Sequence, residues 1–406
     1  MGLIDELKAS DKKGLFVSNT EYVSYSTGLL PLDYANGYWK RIVKPDGTVD
    51  FIPMVGISAG SINTIIGSTG TGKTTMGMGI GWGIVRKFDD GLLILVDAEK
   101  GAFGDRIFSV TGVDPNDPRI QLHKDKTTIE DVLDMFNDIC ETKERGGRKY
   151  MYEVPYAGIN GSSAMVYVPT VCIIDSLPSF NSKEFDDKTL GGNIDGMRGA
   201  RDASRFFTNI LDKSWKYNVI WIIINHIRPK ADMNPYAGTP NGLMMLKQGE
   251  QLPRGAVAQY YSNTFFRISA KKSDNYLYDE MGFEGRRCTI QLAKSRSNQV
   301  GTSFPVAFID GRFDSTFTVY EYLNAVGLIK GRNPYLYVEG FDQIKFNRKD
   351  FRAKMSYEPA FRQMVLEVMA PYMLSLLGPK PKVEEPEQKL LGYGELVLPM
   401  PSILAA

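Results

Sequence analysis

The sequence predicts an α/β fold, a mainly parallel sheet with helices on both faces, and three observations carry that prediction. Short apolar runs at 63–66, 91–96, 171–174 and 219–224 have the length and β-branched content of strands buried on both faces. Between them lie stretches whose apolar residues recur at helical spacing, as in Ile129, Val132, Leu133, Phe136, Ile139 and Cys140. Strand and helix signals therefore alternate, the pattern of repeated β-α-β units. With 406 residues, the chain can hold one large domain and smaller appendages.

Composition narrows the class. The chain is 43% hydrophobic and 23% charged, ordinary for a globular protein, and its net charge of +1 excludes a global basic field. A nucleic-acid site would have to be a local patch. Cys140, Cys172 and Cys288 are scattered without metal-ligand spacing and read as reduced, buried thiols. His123 and His226 are the only histidines, too few for a histidine-rich metal centre. No run reaches the ~18 apolar residues of a membrane span. Residues 1–6 lack the basic start and long apolar run of a secretory signal. The expectation is a cytoplasmic protein with no membrane partner.

In chain order, residues 1–21 form a short arm, dense in apolar residues, that needs either its own core or a neighbouring subunit to cover. Ser26, Thr27 and Gly28 precede Leu32 and Asp33, and a hydrophilic insertion at 40–50 carries the turn signal Pro45-Asp46-Gly47. Gly67, Ser68, Thr69, Gly70, Thr71, Gly72, Lys73 and Thr74 then fit G-x-x-x-x-G-K-[ST], with Thr75 directly after. Glycines let the backbone curl so that several N–H groups face one phosphate chain. Lys73 brings charge to the terminal phosphate oxygens, Thr74 a hydroxyl to Mg²⁺, and the following helix its positive end. These residue types in this order predict a bound nucleotide.

The strand after it, 91–99, ends in Asp97 and Glu99, which by strand alternation share a face at the carboxyl end. Thr127 or Thr128 caps the helix over 128–144, with Asp131 near its positive end. A Tyr/Gly/Ser-rich insertion to about 169 reads as a surface hairpin. Val171 to Asp175 is an apolar strand ending in a carboxylate, suited to hold Mg²⁺ through water opposite Thr74. A helix over about 198–217 and a strand running into Asn225 and His226 follow.

Taken together, these segments resemble the RecA family of DNA strand-exchange ATPases, and within it the UvsX-type recombinases of phages. The matching stretches are Ser26-Thr27-Gly28 with Leu32-Asp33, the glycine loop, Val96-Asp97-Ala98-Glu99 and Ile173-Ile174-Asp175-Ser176. Ile223-Ile224-Asn225-His226-Ile227-Arg228, Tyr260-Tyr261-Ser262-Asn263 and Leu292-Ala293-Lys294-Ser295-Arg296 follow in family order. The resemblance implies a RecA-like P-loop NTPase core over 22–330, between the 1–21 arm and a small C-terminal helical region and tail at 331–406. It implies a DNA-dependent ATPase using ATP and Mg²⁺, assembled as a helical filament on single-stranded DNA and exchanging strands with homologous duplex. Loader and single-strand-binding proteins are the accessory partners such a filament implies.

The resemblance also assigns roles. Glu99 would polarise the attacking water. Asn225 and His226 would sense the γ-phosphate (many bacterial members have Gln where this chain has His226), and Lys294 and Arg296 would reach the nucleotide of the next subunit. Phe103 and Arg106 stand where an adenine could stack. DNA contacts are expected from a loop at 182–199, with Lys183, Lys188 and Arg198, and from a loop at 228–259, with Arg228, Lys230, Lys247 and Arg254. Lys345, Arg348, Lys349, Arg352 and Lys354 fit either a lobe that gates duplex DNA or a solvated face. A ring helicase motor and an ATP-dependent assembly scaffold are the alternative functions.

Overall fold

A computed structural model of the chain describes residues 23–382, except 45, 100–103, 124–126, 159–160, 184–192, 230–244, 248, 276–277, 279–281 and 299. The expected 1–21 arm and the tail beyond 382 lie outside the described residues.

Nine strands make one mixed sheet: β1 (Ile62–Gly67), β2 (Leu92–Asp97), β3 (Ile120–His123), β4 (Thr170–Asp175), β5 (Val219–His226), β6 (Thr264–Asn275), β7 (Gly285–Ser295), β8 (Ser303–Ile309) and β9 (Arg312–Asp314). Their spatial order is β9-β8-β7-β6-β1-β5-β4-β2-β3. From β6 to β3 every neighbouring pair is parallel. The arm from β6 to β9 is antiparallel.

Alternate residues of the central strands feed two apolar layers, as strand geometry requires. Ile65, Leu93, Leu95, Val171, Ile173, Ile222 and Ile224 face one cluster, shared with α1 (Lys73–Val85) and α2 (Gly104–Thr111). Ile66, Ile94, Val96, Cys172, Ile174, Trp221 and Ile223 face the other, covered by α3 (Ile129–Gly146), α4 (Asn193–Tyr217) and α5 (Gly255–Tyr261). Helices thus lie on both faces. The two-sided burial explains why β1, β2, β4 and β5 read as short apolar runs.

Local chemistry sets the element ends. Thr128 caps α3 through a reciprocal capping box with Asp131. Ser26 and Thr27 matter because the buried Asp33 carboxylate accepts from the Thr27 amide at 2.7 Å and from both hydroxyls at 2.6 Å. The insertion at 40–50 is the tip of a hairpin, strand ends and turn together, that pairs Tyr38–Val43 with Val49–Met54, and a second hairpin pairs Met151–Val154 with Ala164–Tyr167. One boundary differs from expectation: α4 starts at Asn193, so Arg198 belongs to helix, not loop.

The segment after 330 does not stand apart. A hairpin at 329–338 leads to α7 (Phe351–Tyr357) and α8 (Pro359–Leu376), with α6 (Ser315–Ala325) beneath them. Phe346, Phe351, Phe361 and Val365 belong to the same apolar cluster as Ile65 and Met76. Asn298 Nδ2 donates to Leu376 O at 2.6 Å, and Trp39 Nε1 to Gly378 O at 3.1 Å. The basic row is largely committed to anchoring. Arg348 pairs with buried Glu321 at 3.0 Å, Arg352 pairs with Asp314, Lys354 pairs with Glu358 at 2.9 Å, and Lys345 sits over the Tyr337 ring.

Candidate functional site

Parallel register puts the ends of four adjacent strands side by side. His226 stands opposite Gly67, and Asp175 opposite Asp97. Chemistry-bearing residues from β1, β5, β4 and β2 therefore meet at one carboxyl edge, the usual place for ligands in open α/β sheets.

The glycine loop leaves β1 and turns into α1. Gly72 caps that helix at φ +91°, a left-handed conformation that strains any side-chain-bearing residue. A Cβ at Gly67 would meet Ile268 O at 2.6 Å. Within the loop, the Ser68 carbonyl collects three donors: Lys73 Nζ at 2.8 Å, Thr71 Oγ1 at 2.9 Å and Thr71 N at 3.4 Å. Lys73 is only 3% exposed, and burial lowers its pKa to about 8 while Asp175 and Glu99 pull the other way. A cationic amine forced into so dry a place favours an anionic partner.

The Thr74 hydroxyl donates to Asp175 Oδ2, while Asp175 Oδ1 is buried without a partner among the described residues. Burial pushes Asp175 up to about 6; the Thr74 bond opposes this, and Glu99 and Asp97 add to it. The Ser176 hydroxyl donates to Glu99 Oε1, and His226 Nε2 comes within 3.2 Å of the same oxygen. Burial, then neighbouring Lys73, lowers the His226 pKa, so the imidazole is neutral at neutral pH. Glu99, Asp175 and His226 each offer a ligand atom, and these lie within 4.8 Å of one another. Asp97 is buried and Glu99 is exposed, because β2 ends at Asp97 and strand alternation does not extend to Glu99. Both nevertheless bear on Asp175.

Arg106 donates to Thr75 Oγ1 at 3.4 Å, which brings it beside the start of α1; Phe103 lies outside the described residues. A cleft of about 370 Å³ runs along the outer face of α1 from Thr75 to Arg86, bordered by Arg312 and Arg352.

Lys294 and Arg296 sit elsewhere. Lys294 pairs with Phe265 and Ser295 with Thr264, which in turn faces Asn63 near the start of β1. They thus occupy the amino edge of the parallel strands, opposite the glycine loop. There Lys294 Nζ donates to Gln259 O at 2.5 Å and Tyr260 O at 2.8 Å, and Arg296 Nη2 to Tyr260 O at 3.3 Å. Two cations cap the negative end of α5. Burial, then Arg296, lowers the Lys294 pKa to about 8.

The expected DNA loops spring from the same edge as the glycine loop. Arg228 and Lys247 are exposed; Lys183 is exposed too, paired with Asp131 at 2.8 Å. Lys188, Lys230 and the Arg198 side chain lie outside what is described. Arg254 departs from expectation. Its guanidinium is turned inward, donating to Leu177 O at 2.9 Å, Phe180 O at 2.5 Å and Asn181 Oδ1 at 2.7 Å. A phosphate contact gives way to a structural clamp. The base of the second loop is also ordered: Arg228–Pro229 pairs with Glu250–Gln251, and α5 takes 255–261. Asn225 Nδ2 donates to Pro253 O at 2.7 Å, and Arg267 grips Glu250 at 2.7 and 2.8 Å. No local pattern marks Arg254 or Arg267 as clamps, since an arginine's partner is a matter of tertiary approach.

No family model matches the chain, and no curated protein matches it significantly.

Proposed function

We propose that the chain is a DNA-dependent ATPase of the RecA type, which forms helical filaments on single-stranded DNA and pairs that strand with homologous duplex. The single observation that carries this reading is the convergence of Lys73, Thr74, Glu99, Asp175 and His226 at one carboxyl edge.

In this reading Lys73 and the loop amides hold the triphosphate, exchanging the Ser68 carbonyl for phosphate oxygens. Asp175 Oδ1, without a partner among the described residues, and the Thr74 hydroxyl fit a hard cation with oxygen ligands, so these two would hold Mg²⁺. That cation would supply positive charge to the phosphate oxygens. Glu99, aligned by the Ser176 hydroxyl, orients and deprotonates the attacking water. His226 beside it, and Asn225 with its bond to Pro253, link the site to the stem of the second loop. Lys294 and Arg296 lie at the edge a neighbouring subunit would bring to the nucleotide, where such cations stabilise transferring phosphate.

ATP hydrolysis with and without single-stranded DNA, together with negative-stain imaging, tests the proposal. Stimulated hydrolysis and helical filaments are expected. Rings that unwind forked duplex would replace this reading with a helicase motor. DNA-independent assembly without hydrolysis would replace it with a scaffold.

A further inference from the structure

Arg286, on β7, contacts the glycine loop from outside. Its Nη2 donates to Gly70 O at the loop's tip. Its guanidinium sits 5.4 Å from the centre of the Phe308 ring, and that ring approaches the loop so closely that a Cβ at Gly72 would meet Phe308 Cε2 at 3.1 Å. The next residue, Arg287, is paired with Asp274 at 3.0 Å and Glu321 at 3.6 Å. Arg286 has no carboxylate partner among the described residues. A positive charge with no paired carboxylate among the described residues thus stands against the tip of a loop built to hold anions.

We propose that Arg286 is a positioning residue of the nucleotide's phosphate site, acting within its own subunit; this rests on the nucleotide-binding reading above. A trans peptide directs its C=O and N–H to opposite sides. Holding Gly70 O outward turns the Thr71 N–H of the same peptide inward, where it meets Ser68 O at 3.4 Å beside Lys73 Nζ. Arg286 thereby fixes the direction of a cradle amide and adds charge to the cradle's outer wall. A planar guanidinium suits the task, because one face can rest on Phe308 while an edge donates to the carbonyl; a lysine offers only a point charge.

Equilibrium binding of MgATP, tripolyphosphate and adenosine to the full chain tests this, using wild type, Arg286→Ala and Arg286→Lys, with melting temperature as the fold control. Arg286→Ala is expected to weaken MgATP and tripolyphosphate by about tenfold or more, as loss of a charge-assisted contact does. Adenosine binding and the ligand-free melting temperature should stay unchanged. Arg286→Lys should recover only part of the loss. MgATP binding by Arg286→Ala within about twofold of wild type overturns the assignment. Should the alanine variant fail to fold, the lysine variant decides: full wild-type affinity overturns the proposal, and weakened affinity upholds it. A wild-type chain that binds no MgATP overturns the nucleotide reading itself.

Discussion

Lys73 Nζ lies 2.8 Å from the Ser68 carbonyl oxygen, so the loop's cation is held by the loop's own backbone. A phosphate oxygen offers the same kind of acceptor with a full negative charge, which turns an ion–dipole contact into an attraction between opposite charges. Lys73→Ala should therefore abolish MgATP binding in calorimetric titration while leaving the ligand-free melting temperature at or above that of wild type, since it also removes a buried charge. Undiminished binding would remove Lys73 from the phosphate site.

Glu99 should separate binding from turnover. The exposed carboxylate is aligned by Ser176 and lies beside neutral His226, and neither of these contacts involves the glycine loop. Glu99→Gln is expected to bind MgATP within about twofold of wild type and to hydrolyse it about a hundredfold more slowly, the usual cost of losing a general base. Single-turnover hydrolysis and a binding isotherm measure the two separately. Retained turnover would reassign the base.

Arg254 and Lys247 should behave oppositely. Arg254→Ala removes a donor from three interior acceptors, of which, among the described residues, only Leu177 O keeps another, the Phe180 amide, with an expected cost of about 3 kcal/mol and a clearly lowered melting temperature. Lys247→Ala and Arg228→Ala, both at exposed positions, should leave melting unchanged and weaken single-stranded DNA binding with a shallower salt dependence. Unfolding curves and salt-titrated DNA isotherms distinguish the two classes.

Stability should depend on pH through Lys143. Its ammonium is buried, donating to Val168 O and Tyr217 O at 2.8 Å, and faces the thiols of Cys140 and Cys172, which burial pushes up to about 11 and about 12. Burial lowers the Lys143 pKa to about 7. The unfolded chain thus holds the extra proton above pH 7, and stability rises with pH from there, by at most about 1.4 kcal/mol per unit. Lys73 and Lys294, both lowered to about 8, join only above that pH. Denaturant unfolding at pH 7 and 8 should show the climb in wild type and a flatter line in Lys143→Met. Equal slopes would mean Lys143 keeps an ordinary pKa.

Much of the fold was legible because the central strands are buried on both faces, and such strands write themselves as apolar runs. The Thr128–Asp131 capping box and the turn at 46–47 were legible because both depend on neighbours in sequence. The antiparallel arm was not. β7 carries Arg286, Arg287, Gln291 and Lys294 among its residues and is only partly buried, so no apolar run marks it. The start of α4 was misplaced because Gly196 and Gly199, both inside the helix, are weak helix formers and read as a continuation of the loop. At the site, the loop residues and Asp175 were readable from order and type alone. Ser176's grip on Glu99, the Arg254 clamp and the Arg286 contact depend on segments roughly seventy to two hundred residues apart, and no local pattern encodes them.

The Lys294–Arg296 pair and the glycine loop mark opposite rims of one sheet. If a neighbour's cations complete the cradle, a two-fold pair would close that contact on itself, whereas a head-to-tail row repeats it at every joint, each copy donating forward and receiving from behind. Such a row has two unlike ends, and anything that binds one end alone would set the direction of growth.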